Sequence, residues 1–339
     1  PHFDKIWEFN GWNLAYNTSA EWDAVPDRYF WVKAGGKFIK RGVDRNRKST
    51  HLQYHLGNIY QKKIGIADES KYYRKYFLRD PDPKFNNGPD RDFNPDEMDN
   101  YLVAKKTFLL AIVKEQTNPQ HILDISLFKT SPARCQFDYA AALQKDGLFG
   151  EQTREAWQDA LNDWTLKYGR EFFQVKIQDQ VQSIQMEMTR PEIKAVAKSP
   201  DDVPKIAAMI EHYRKMVNYY YWRTRGTIES ERETSEAHRD LYEGAQLYKK
   251  QELAKAQESL LSGMEKMESL LKRKGNESLV DENDLNEECL LGVLIWIDIH
   301  RLVGEQIPER FPLDWLKAKM EGNAETMNKV NRRLRLLVE

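Results

Sequence analysis

The sequence predicts a mainly α-helical (all-α) chain of successive helical hairpins, interrupted by irregular insertions and one short extended segment near 172–188. Three observations carry this. Apolar side chains recur at three- and four-residue spacing through most of the 339 residues. Clusters such as Asp80-Pro81-Asp82-Pro83 and Asn87-Gly88-Pro89-Asp90 break those runs at hairpin-sized intervals. Hydrophobic residues make up 40% and charged residues 31%, a balance that suits amphipathic helices with wetted outer faces.

Helices are expected first over 3–17, 27–45, 50–64 and 68–79. In the third, Leu52, Leu56, Ile59, Tyr60 and Lys63 share a face. The Asp/Pro run ends the fourth. Asn94-Pro95-Asp96-Glu97 then opens a helix over about 97–116, since acids in a first turn oppose the helix dipole favourably. Asn118-Pro119 closes it, and residues 121–132 carry no single pattern. Residues 135–145 and 151–168 form a further pair across Asp146-Gly147. Phe173, Val175 and Ile177 alternate with polar residues, the period of a strand. Pro191, Pro200 and Pro204 mark a boundary region, followed by helices near 203–224, 227–248, 251–273, 284–304 and 311–337. The expected division is 1–82, 83–170, 171–202 and 203–339.

An internal repeat underlies the first part. Leu56-Gly57-x2-Tyr60 is followed by Tyr73 and closed by Pro81, with Gln53 four residues before Gly57. Trp7 and Gly11 repeat that spacing, and Ala34-x3-Phe38 supplies the next helix. A third unit carries Gly244, Ala256, Leu260 and Gly263. These positions resemble the tetratricopeptide repeat (TPR), a helical hairpin of about 34 residues. The stretch from Trp7 to Asn17 is similar to uncharacterised bacterial, planctomycete-type TPR proteins.

The resemblance implies a right-handed solenoid whose inner groove binds peptides or partner proteins, with no catalysis. Its structural positions are Trp7, Gly11, Ala34, Phe38, Leu56, Gly57, Tyr60, Tyr73, Pro81, Gly244 and Ala256. Polar first-helix residues free of packing duty, namely Asn10, Asn13, Asn17, Gln53 and Asn58, are the expected groove contacts. Pro1 falls where an earlier repeat would close. In such proteins a hydrophobic anchor commonly comes before this segment, so a membrane-associated assembly is expected, held through a segment outside this chain.

Other chemistries find little support. Lys+Arg 52 against Asp+Glu 53 leaves a net charge of −1, which argues against a nucleic-acid partner. Gly35-Gly36-Lys37-Phe38 lacks the first Gly and the Ser/Thr of a phosphate loop. His51 and His55 sit at i and i+4, so both imidazoles reach one ion on a helix, but the sequence shows neither a third ligand nor HExxH. No metal and no cofactor are therefore expected. Cys135 and Cys289 stand alone and read as buried thiols, and a catalytic Cys135 would need a His and an orienting partner. The run from Asp146 to Thr153 resembles the D-G-x-F-G-x-x-T core of small peptidoglycan-binding modules, which gives an alternative function. The basic run Lys37–Lys48, the acidic run Glu277–Glu288 and the aromatic cluster Tyr219–Trp222 read as solvated faces and as rings partly buried between helices. The leading expectation is a non-enzymatic scaffold that docks other proteins.

Overall fold

The computed structural model describes residues 3–121, 125–177, 180–281 and 283–338. Pro1, and with it the expected end of an earlier repeat, lies outside them, as does Glu282 of the acidic run. The chain is 72% helical, so the all-α expectation holds, and the extended segment is a two-stranded sheet. It divides into two compact units that interleave along the sequence rather than follow one another.

The first unit comprises Pro1–Tyr139 and Asp163–Val217. Helix α1 (Asp4–Trp12) widens into a π-helical turn at Asn13–Thr18, and α3 (Thr50–Asn58) does the same at Ile59–Ile64. Each π turn begins two residues after a glycine, Gly11 or Gly57. Between them runs α2 (Val25–Arg45), with Pro26 in its first turn, where a missing N–H is harmless. Ser49 caps α3 by accepting from the Leu52 amide, and Asp99 caps α5 (Asn100–Thr117) by accepting from that of Tyr101. Helices α4 (Ser70–Leu78) and α6 (Ile125–Phe128) are short, and α7 (Ser131–Lys145) follows.

Helix α3 packs against α1 on one side and α5 on the other, while α2 lies against α1 and α3 and touches α4. Small residues set these distances. A Cβ on Gly35 would fall 2.4 Å from the Gly11 carbonyl oxygen, and one on Gly57 would fall 2.6 Å from the Phe108 ring. Gly57 thus makes room for α5 rather than for its expected hairpin partner α4. Ala34 is half-buried, and the close approach to α1 belongs to its neighbour Gly35. Pro81 is exposed in the loop after α4. Tyr29, Leu56, Tyr60, Tyr73, Phe77 and Phe93 fill the core, where the Tyr60 hydroxyl donates to the Phe93 carbonyl at 3.0 Å. Trp7 is buried against Gly42 and 4.8 Å from the half-buried Phe38 ring.

Strands β1 (Phe173–Ile177) and β2 (Gln180–Ile184) pair antiparallel, and buried Phe173 and Ile184 lie opposite one another. A Thr189/Glu192 capping box starts α9 (Arg190–Val196). Helix α10 (Asp202–Met216) ends before the expected 224, because Asn218 takes a left-handed conformation at φ 54°.

The second unit comprises Ala140–Asn162 and Asn218–Glu339. It holds the end of α7, α8 (Glu151–Asn162), α11 (Tyr219–Glu229), α12 (Arg232–Lys249), α13 (Leu253–Leu271), α14 (Asn283–Val303), α15 (Asp314–Met320) and α16 (Ala324–Val338). The α12–α13 hairpin is the most extensive helix pair. A Cβ on Gly244 would lie 2.6 Å from Leu260, one on Gly263 would lie 2.9 Å from Leu241, and Ala256 is buried. Helix α12 also meets α14 and α16, so this unit is a bundle, whereas solenoid repeats touch only their neighbours in the stack. No described helix is long and apolar enough to cross a membrane.

Candidate functional site

The seam between α1 and α3 gathers the polar groups best placed for chemistry. Glu8 follows the buried Trp7 by one residue, so it leaves α1 about 100° round from the core and points at α3. There His55 Nε2 lies 2.9 Å from Glu8 Oε1. His51, one turn earlier on α3, sets its ring nearly parallel to that of His55, 14° apart in plane and 6.5 Å between centroids. One ligand atom from each of the three lies within 4.8 Å of the others, and all three side chains are half-buried. Burial lowers the His55 pKa, with the nearby Glu8 carboxylate pulling the other way and His51 adding to the decrease.

Aromatic rings continue along α1 and its π turn. Trp12, 45% exposed, stacks on Tyr16 at 5.3 Å, and Lys63 Nζ sits 4.9 Å from the centre of the Tyr16 ring. Ile6 and Phe9 are exposed on the same helix, and Phe3 just before it is exposed too. Across the layer, α5 buries Ala104, Phe108 and Ala111 yet also exposes Leu109, Leu110 and Val113, beside the exposed Lys106.

The expected groove residues divide. Asn58 is half-buried one turn beyond His55, on the face of the cluster. Gln53 is buried at 5% exposure, which removes it from any groove: it stands four residues before Gly57, as Trp7 does before Gly11, and the repeat turns that position inward. Asn10 lies two residues, roughly 200° of helix, from Glu8 and donates back to the Ile6 carbonyl. Asn13 and Asn17 hydrogen-bond one another at 2.8 Å on that side. Sequence reasoning missed Glu8 and Trp12. Their phase was the available signal, since each follows a buried repeat position by one residue.

Three other clusters are absorbed by the fold. Lys33, buried in α2, lies 2.6 Å from Asp80 and 3.5 Å from Asp90 and so ties down the 79–99 loop. A cleft of about 540 Å³ beside it is lined by Lys37, Lys40 and Arg41 but also by Asp44, Asp90 and Asp92, so its cations are largely matched. In the second unit, the Asp146–Thr153 turn places Gly147 at φ +83° against Tyr242, and its Phe149 carbonyl accepts from Ser235 at 2.6 Å. The Thr153 hydroxyl donates to the Leu148 carbonyl at 2.9 Å, whereas Gly150 has open space beside it and lines a shallow cleft with Gly147 and Phe149. Glu229, His238 and Arg225 form a buried ionic network in the same unit. Cys135 and Cys289 are free and fully buried.

No family model, no curated protein and no solved structure matches the chain.

Proposed function

We propose that this chain is a non-enzymatic helical scaffold of TPR-like construction that docks a partner protein on the exposed apolar faces of α1 and α5. One observation carries the reading. Both helices belong to the layer that α3 joins, and both expose large apolar side chains, Phe9 at 65% and Trp12 at 45% on α1, Leu110 at 50% and Val113 at 56% on α5. Large apolar side chains exposed together on one helix mark contact sites. The matching pattern of α1 and α3, a buried position, a glycine four residues on and a π turn two residues later, supports a repeat origin. The favoured partner segment presents aliphatic or aromatic anchors, as helix- and groove-docking peptides do.

Selection from a random peptide-display library tests this. The full chain is expected to enrich peptides with apolar anchors. The pairs Phe9→Glu/Trp12→Glu and Leu110→Glu/Val113→Glu each weaken those peptides by roughly 30-fold, the loss of about 2 kcal/mol typical of an interface hot spot. Circular dichroism and melting temperature stay close to wild type, because these side chains are exposed. Equal enrichment by wild type and both variants overturns the docking faces.

A further inference from the structure

We infer that Glu8, His51 and His55 form a binding site for one divalent transition-metal ion of the zinc class, which bridges α1 to α3. Two imidazoles share one face of α3, and the fold delivers the carboxylate from α1. Zinc takes imidazole nitrogen and carboxylate oxygen at about 2.0–2.2 Å, and tetrahedral ligands on such an ion stand roughly 3.3 Å from each other. The Glu8–His55 pair is already inside that separation at 2.9 Å, and the widest spacing in the trio is 4.8 Å or less. Side-chain rotation alone closes the remainder, since none of the three is locked in the core.

A plain ion pair accounts for Glu8 and His55 but not for His51. Its ring makes no hydrogen bond to any described residue, and it lies parallel to His55 on the preceding turn, where two protonated imidazoles repel and two neutral ones share an ion. Imidazole nitrogens with a single carboxylate select zinc, nickel, copper or ferrous iron over magnesium and calcium, which prefer all-oxygen shells. Three protein ligands leave a fourth position open for water or for a donor atom from a bound molecule. The ion also closes a loop between α1 and α3, so its binding stabilises the first unit by mass action.

The full chain, stripped with a chelator and dialysed free of it, is titrated with Zn²⁺ alone by calorimetry and with Co²⁺ by visible absorption. One ion binds per chain, and Co²⁺ gives the intense visible bands of a tetrahedral site. His51→Ala and His55→Ala each weaken Zn²⁺ by about 100-fold or more, and Glu8→Gln weakens it by about 10-fold or more. His212→Ala, at an exposed histidine of α10, changes nothing. Metal-free circular dichroism of every variant matches wild type, so a loss reports the ligand and not the fold. Saturating Zn²⁺ raises the melting temperature of wild type and of His212→Ala but not of His55→Ala. Absence of stoichiometric binding overturns the site, and so does binding that survives His51→Ala and His55→Ala.

Discussion

Replacing Glu229 by alanine removes the centre of a buried ionic network, and its cost follows from the contacts. The Glu229 carboxylate has no exposed surface. It accepts from Arg225 Nε at 2.7 Å and Gln144 Nε2 at 2.9 Å, and His238 Nε2 lies 2.9 Å away. His238, equally buried, reaches Glu288 through Nδ1 at 2.8 Å, and Arg225 donates to the Tyr221 hydroxyl at 2.9 Å. Burial opposes charge on Glu229, but the charges of His238 and Arg225 outweigh it and bring its pKa down to about 2. Burial likewise opposes charge on His238, and Glu229 and Glu288 outweigh it, raising its pKa to about 10.

Alanine leaves two buried cations short of their counter-charge, which costs about 3–5 kcal/mol. At about 2 kcal/mol per molar urea, 4 kcal/mol lowers the midpoint of the second unit by about 2 M. Its melting temperature falls by roughly 8–16 °C. Urea titrations of the full chain followed by circular dichroism measure this. The pH dependence has a defined sign. His238 is raised, so its contribution is complete below its ordinary 6.5 and is lost as pH climbs toward 10. Glu229 is depressed, so its contribution is complete above its ordinary 4.5 and is lost as pH falls toward 2. The gap between wild type and Glu229→Ala is therefore widest from about pH 4.5 to 6.5 and narrows on either side. A loss under about 1 kcal/mol, or a gap indifferent to pH, refutes the reasoning.

Gly35→Ala places a methyl 2.4 Å from the Gly11 carbonyl oxygen and 2.8 Å from the Ala15 amide nitrogen, backbone atoms that cannot rotate aside. It is expected to destabilise the first unit by about 1–3 kcal/mol in thermal melts, while Gly150→Ala, with nothing within 4 Å, stays within about 0.5 kcal/mol of wild type. Burial pushes both cysteine thiols upward. Neither Cys135 nor Cys289 is expected to react with a thiol reagent in the native protein, and both react once guanidinium unfolds it. Rapid native labelling of either contradicts its burial.

Local patterning carried much of the secondary structure. The 3.6-residue spacing of apolar side chains located most helices, and the alternation of Phe173, Val175 and Ile177 located β1. The spacing of Trp7 to Gly11, and Leu56 and Gly57 in the next unit, marked inward positions of α1 and α3. These features depend on residues within one or two turns of each other, and the sequence displays such neighbours directly.

What crosses between helices was not displayed. Gly57 meets Phe108 of α5, Gly35 rather than Ala34 meets Gly11, and Glu229 gathers partners from α7, α11 and α12. Gln53, expected in the groove for its polarity, proved buried because polarity says only that a side chain tolerates water. Which face it occupies depends on helix phase, and which neighbour it meets depends on packing. Composition and periodicity therefore determined an all-α chain with close-packed glycines. Tertiary structure alone brought Glu8 to His51 and His55, because hydrophobic burial fixes which helices touch, and the polar groups at their seam are carried along with it.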